Sequence, residues 1–139
     1  GGPLVNGFLD VLAEESDRAL IVDYKSDRLE GAEPTGLVER DYATQRAVYA
    51  LAALTAGHER VDVAYCFLER PDDIVSATFE TGDIPALQDR LRTTAAGLLA
   101  GDFTPTATPH RELCADCPGR RALCSHPESV TLAPLSPRS

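Results

Sequence analysis

The chain has 139 residues, enough for one domain with a modest core, and its 43% hydrophobic and 25% charged residues are ordinary for a globular protein. A net charge of −9 argues against a nucleic-acid module that binds by bulk electrostatics, but not against an enzyme that meets nucleic acid at a carboxylate-rich metal site. No uncharged apolar run reaches membrane-spanning length and no secretion signal is visible, so the expectation is a cytoplasmic protein with no membrane segment.

The chain opens on Gly-Gly-Pro and runs straight into a strand-like stretch, which reads as a cut within a longer polypeptide. Residues 4–14 and 19–25 read as two strands around a short polar turn, 15–18, and so as a hairpin. Residues 26–38, rich in Gly, Pro and charge, read as a loop. Residues 40–56 read as a helix stopped by Gly57. Strands follow at 61–69 and 74–80, joined around Pro71-Asp72-Asp73. Asp83 is placed to cap a helix over 84–100, with Leu87, Leu91 and Leu98 on one face and Gly101 as its stop. From 102 periodicity gives way to Pro, Thr and Cys, and the tail beyond His126 reads as mobile. This order is that of an α/β or α+β domain.

Lys25 is the only lysine among 13 Lys and Arg residues, and it lies two positions after Asp23. Side chains at i and i+2 of a strand share a face, so Asp23 and Lys25 point together. A hairpin folded about Ser16–Asp17 sets Asp10 opposite Asp23, with Cβ atoms about 5 Å apart. Two such carboxylates repel unless a divalent cation lies between them. Asp10, Asp23 and a backbone carbonyl near Tyr24 suit Mg²⁺, a hard ion held by carboxylates and water. Lysine then offers a compact, mobile ammonium that can orient or deprotonate a water or neutralise developing phosphorane charge, which a planar guanidinium does poorly. Gly7 leaves room beside this site for a backbone or ligand. A solvated hairpin with a polar face is the competing reading, and a one-residue slip would move Asp10 to the other face.

On the following helix Gln45 and Tyr49 lie one turn apart, and Tyr42 joins their stripe. They could hold the lysine or a phosphate; the plainer reading is a core aromatic and a boundary amide. Cys114, Cys117 and Cys124 cluster and read as metal ligands before disulfides. Zinc held by these three with His126 or His110 is one reading, and three reduced thiols another. Cys66 reads as a buried apolar residue, His58 as a surface loop residue, and Arg120-Arg121 as a solvated pair.

Gly7-Phe8-Leu9-Asp10, then Ile21-Val22-Asp23-Tyr24-Lys25-Ser26, Gln45 to Tyr49, Gly101-Asp102-Phe103-Thr104-Pro105 and the three cysteines together resemble the RecB-like branch of the PD-(D/E)xK nucleases. That branch forms the C-terminal nuclease domain of UvrD/RecB-type helicase–nucleases. The resemblance implies a restriction-endonuclease-like α/β fold, a mixed central sheet flanked by helices, here without its N-terminal helix. It implies a nuclease domain over 1–126, with a cysteine-bearing extension over 102–126 and a tail over 127–139. It implies Mg²⁺ or Mn²⁺ on Asp10, Asp23 and the Tyr24 carbonyl, Lys25 as catalytic lysine, and Gln45 and Tyr49 as its support. It further implies DNA as substrate, hydrolysed with a metal-activated water. A helicase domain in the same polypeptide and a second helicase–nuclease subunit are the implied partners. A [4Fe–4S] cluster on Cys114, Cys117, Cys124 and a fourth cysteine outside this chain is the implied second cofactor. Val11 stands where the family often has a basic residue. The resemblance implies an upstream helix, frequently with a His or Glu that completes the metal shell, which this chain begins too late to include, so a folded but inactive fragment is one expectation. A nuclease-fold scaffold that binds DNA ends, and a nuclease without a helicase, are the alternatives.

Overall fold

A computed structural model describes Val5 and residues 7–134 of the chain. Leu4 and Asn6 of the expected first strand, and residues 135–139 of the expected tail, lie outside the described residues. The chain divides into two units, Gly1–Ala100 and Gly101–Ser139.

The first unit is built on a four-stranded sheet, β1 (Val11–Glu15), β2 (Arg18–Lys25), β3 (Arg60–Phe67) and β4 (Val75–Glu80), in that spatial order. β1 pairs antiparallel with β2, β2 parallel with β3, and β3 antiparallel with β4. The hairpin register runs from Val11↔Val22 to Glu15↔Arg18, so the turn is Ser16–Asp17 as expected. Ser16 adopts φ 54°, the positive value a two-residue hairpin loop needs at its first central position. The first strand is shorter than residues 4–14: residues 7–10 lie outside the sheet. The Asp10 carboxylate, not a backbone carbonyl, accepts the Tyr24 N–H at 2.8 Å, and this side-chain bond takes the place of the next rung.

Parallel pairing of β2 with β3 demands a crossover. It is supplied by α1 (Pro34–Leu37), a π-helical turn (Val38–Tyr42) and α2 (Ala43–Thr55). Helix therefore begins within the expected loop 26–38. Pro34 marks its start: a proline in the first turn lacks only an N–H that would have had no helical partner. Gly57, at φ 114°, turns the chain after α2.

β2 alternates, burying Ala19, Ile21 and Asp23, and β3 buries Val61, Val63, Tyr65 and Phe67 on the same face. Ala47, Ala50, Ala53 and Leu54 of α2 pack there, the small side chains allowing close approach of helix to sheet. Each large aliphatic buried in this way contributes about 1.5–3 kcal/mol. Val11, Leu20 and Tyr24 are partly exposed on the other face.

The expected helix 84–100 is interrupted. α3 (Ile84–Thr94) and α4 (Ala96–Leu99) meet at Ala95, whose backbone (φ −89°, ψ 0°) leaves helical geometry. Leu87 is buried and Leu91 packs on the core, but Leu98 beyond the break is 61% exposed. Asp83 precedes α3 but makes no side-chain cap to it: its carboxylate instead accepts the Glu80 N–H at 2.9 Å, as the third residue of a capping box that closes a 3-10 turn over Thr81–Asp83.

Among the described residues the second unit carries two single-turn helices, α5 (Arg111–Cys114) and α6 (Glu128–Thr131), tied where the Arg111 N–H donates to the Ala133 carbonyl at 2.7 Å. Residues 128–131 are thus helical within the stretch read as tail, and Thr131 is fully buried.

Candidate active site

Asp23 is the one charged residue buried in the core among the described residues, at 4% exposure. Lys25 follows on the same face of β2, and its Nζ lies 2.7 Å from Asp23 Oδ1. The same ammonium donates to Gln45 Oε1 at 2.9 Å. Gln45 Nε2 donates to the Tyr49 hydroxyl at 2.8 Å, one helical turn away. The Tyr49 oxygen lies 2.8 Å from Asp23 Oδ2 and 2.9 Å from the Phe8 carbonyl. A phenol has one proton to give, and the carboxylate is the stronger acceptor. The ring Asp23–Lys25–Gln45–Tyr49 is therefore closed, joining β2 to α2.

Asp10 stands at the end of β1 and uses Oδ2 for the Tyr24 N–H. In an extended strand the N–H and C=O of one residue face the same neighbour. The Tyr24 carbonyl thus faces the edge where Asp10 stands. Burial, then Asp23 and more weakly Asp10, hold the Tyr49 phenol well above its ordinary value of 10. Continued by one pair, the hairpin register Val11↔Val22 sets Asp10 opposite Asp23, which directs both carboxylates to the same side of the sheet. Tyr65, beside Asp23 in the parallel register, is likewise raised, chiefly by burial and then by Asp23.

The site fits a hard divalent cation in its donor chemistry. Asp10 keeps Oδ1 free of protein bonds among the described residues, and each oxygen of Asp23 keeps a second lone pair. Asp10 and Asp23 remain a pair: among the described residues, no group of three or more His, Cys, Asp or Glu is arranged to hold a metal. A Cβ built on Gly7 meets nothing within 4 Å, so the space that this glycine leaves beside the site is open.

Reading along the sequence did not assign a role to two aromatic rings. The Lys25 Nζ lies 4.0 Å from the centroid of Tyr42 and 5.5 Å from that of Tyr65. Tyr42 carried a signal, since it shares the Gln45–Tyr49 stripe; Tyr65 carried none, because only pairing of β2 with β3 sets it beside Asp23.

The three clustered cysteines do not converge. Cys114 is buried at the end of α5, Cys117 is exposed and Cys124 is partly buried. Among the described residues they form no group of three or more side chains that could hold a metal. The histidines proposed to join them are engaged elsewhere: His126 Nε2 lies 2.8 Å from the Thr106 carbonyl, and His110 Nδ1 lies 2.8 Å from Glu112 Oε2. Three smaller expectations also change. Cys66 is only partly buried, on the sheet face away from α2. His58 lies in the loop after α2, as expected, but its side chain is largely covered and its Nε2 lies 2.8 Å from Glu14 Oε1. Arg120 is not a solvated charge, because Nη1 pairs with Glu128 at 2.8 Å.

No helix among the described residues is long and apolar enough to cross a membrane. No curated protein and no solved structure gives a significant match to the chain. The description of the PD-(D/E)XK nuclease superfamily matches residues 2–124, nearly the whole chain. With its mixed sheet, its helical crossover and a buried Asp-x-Lys pair on β2, the chain belongs to the PD-(D/E)XK nuclease superfamily, whose members are generally metal-dependent nucleases of restriction-endonuclease-like fold.

Proposed function

We propose that the chain is a RecB-like nuclease module: a Mg²⁺- or Mn²⁺-dependent deoxyribonuclease, acting as an exonuclease within a cytoplasmic helicase–nuclease. Its reaction is hydrolysis of a DNA phosphodiester during end processing and recombinational repair. The observation that carries this reading is the closed ring of hydrogen bonds holding Lys25 against Asp23, with Asp10 at the neighbouring strand end.

Asp10, Asp23 and the Tyr24 carbonyl would hold the cation. When bound, it supplies Lewis-acid polarisation of a phosphate oxygen and a more acidic water. The Lys25 ammonium, held beside the metal ligands, offsets charge that builds on the phosphoryl oxygens. Gln45 keeps the ammonium in place by accepting from it, and Tyr49 holds Asp23 by donating to it. The Cys114-x₂-Cys117-x₆-Cys124 spacing supports a [4Fe–4S] cluster completed by a cysteine outside this chain, with zinc as the alternative. A helicase domain of the same polypeptide and a second helicase–nuclease subunit are the proposed partners.

A non-catalytic scaffold that binds DNA ends is the second reading. It is favoured by the site having two acidic ligands and no third among the described residues. The deciding experiment incubates linear DNA and Mg²⁺ with the wild type, Lys25→Ala and Asp23→Ala. Loss of cleavage by roughly 100-fold or more in both variants supports the nuclease. Equal cleavage by all three ends it, and no cleavage by any favours the scaffold.

A further inference from the structure

An ammonium has three N–H donors. Among the described residues the Lys25 Nζ finds two oxygen partners, Asp23 Oδ1 at 2.7 Å and Gln45 Oε1 at 2.9 Å. What remains on that nitrogen is faced by carbon: the Tyr42 ring, with its centroid 4.0 Å away. Tyr65 stacks on Tyr42 at 5.7 Å between centroids, with planes 25° apart, and its own centroid lies 5.5 Å from the ammonium, so the two rings flank the nitrogen. Phe67 packs on the same ring at 6.4 Å. The Lys25 side chain is only 11% exposed, so little water competes for the ammonium. Tyr42 closes the π-helical turn Val38–Tyr42, a geometry frequent at functional sites.

We propose that Tyr42 is a positioning residue for Lys25: the face of its ring, through a cation–π contact, holds the ammonium against Asp23 and Gln45 and keeps water from that side. The attraction needs the electron-rich face and not the hydroxyl. The hydroxyl stays protonated at neutral pH, because burial and the nearby Asp27 carboxylate push it up to about 12. This inference rests on the reading of Lys25 as the lysine of the nuclease site.

Because Lys25 is the only lysine, labelling the full chain with carbon-13 lysine gives one side-chain signal set. A stacked ring shifts the ε-methylene protons upfield; ordinary packing of aliphatic groups does not. The upfield position is expected in the wild type and in Tyr42→Phe, and a return toward the free-lysine position in Tyr42→Leu. Cleavage of linear DNA with Mg²⁺ is expected to fall about 10-fold in Tyr42→Leu and to be restored in Tyr42→Phe. A free-lysine shift in the wild type overturns the proposal, as does an unmoved shift in a folded Tyr42→Leu, or loss of cleavage in Tyr42→Phe. If circular dichroism finds Tyr42→Leu unfolded, the wild-type and Tyr42→Phe arms still decide. An upfield signal with no cleavage by any of the three proteins sinks the nuclease reading and upholds the ring–ammonium contact.

Discussion

The hydroxyl of Tyr49 and Oδ2 of Asp23 lie 2.8 Å apart across 26 residues of sequence, one on the crossover helix and one on the sheet. The bond fastens a buried carboxylate to the helix that also carries Gln45. Tyr49→Phe removes the donor and keeps the ring. A stability loss of about 1–3 kcal/mol is expected, the usual consequence of leaving a buried acceptor unsatisfied. Denaturant titration measures it, and a change within error would show that the bond contributes nothing.

Lys25→Ala strands the Asp23 carboxylate without its counter-charge at a site where both side chains are largely buried. The expected destabilisation is about 3–5 kcal/mol. The double variant Lys25→Ala/Asp23→Asn removes both charges and should recover part of that loss. Additive losses in the double variant would mean that the pair is not coupled.

A divalent cation held by Asp10 and Asp23 must stabilise the folded chain by mass action. At a concentration 100 times its Kd the gain is about 2.7 kcal/mol. Thermal melts should therefore rise with Mg²⁺ or Mn²⁺ in the wild type and stay flat in Asp10→Asn. A rise of equal size in both would place the cation elsewhere.

Three tyrosines give the fold an alkaline limit. Tyr42, Tyr49 and Tyr65 are all raised above 10, Tyr42 to about 12, with burial as the leading cause. A group whose folded value is raised contributes stability that is complete below its unfolded value and is lost as pH climbs through the folded one. Melting temperature should hold below pH 10 and fall between pH 10 and 12. The phenolate absorbance of these three should appear together with unfolding; their ionisation near pH 10 in a folded chain would contradict the burial.

The same substitution at two glycines should act in opposite directions. Gly57 sits at φ 114°, where a side chain is strained, and Gly57→Ala should cost roughly 1 kcal/mol or more. Gly36 lies inside α1 without a positive φ, and a Cβ there meets nothing within 4 Å. Gly36→Ala should stabilise by up to about 1 kcal/mol through helix propensity. Paired melts decide, and equal shifts of one sign would refute the backbone argument.

Much of the site was legible in the chain because its parts are local. Asp23 and Lys25 are two apart on one strand, Gln45 and Tyr49 one turn apart on one helix, and the hairpin register followed from the turn at Ser16–Asp17. The helical start at Pro34 was hidden, since proline reads as a breaker unless its place in the first turn is known. The break at Ala95 was hidden too, because the leucine spacing continues through it.

The amino-acid order alone determined which groups could do chemistry here: one lysine, carboxylates at positions 10 and 23, and an amide and a phenol at helical spacing. Periodicity acts over a few residues, so it aligns neighbours and says nothing of distant partners. Tertiary structure decided the rest. Parallel pairing of β2 with β3 brought Tyr65 beside Asp23, and the crossover laid Tyr42 over Lys25. Those contacts exist only because folding removes water from a sheet face and a helix face together, and forces each buried charge to find its partners there.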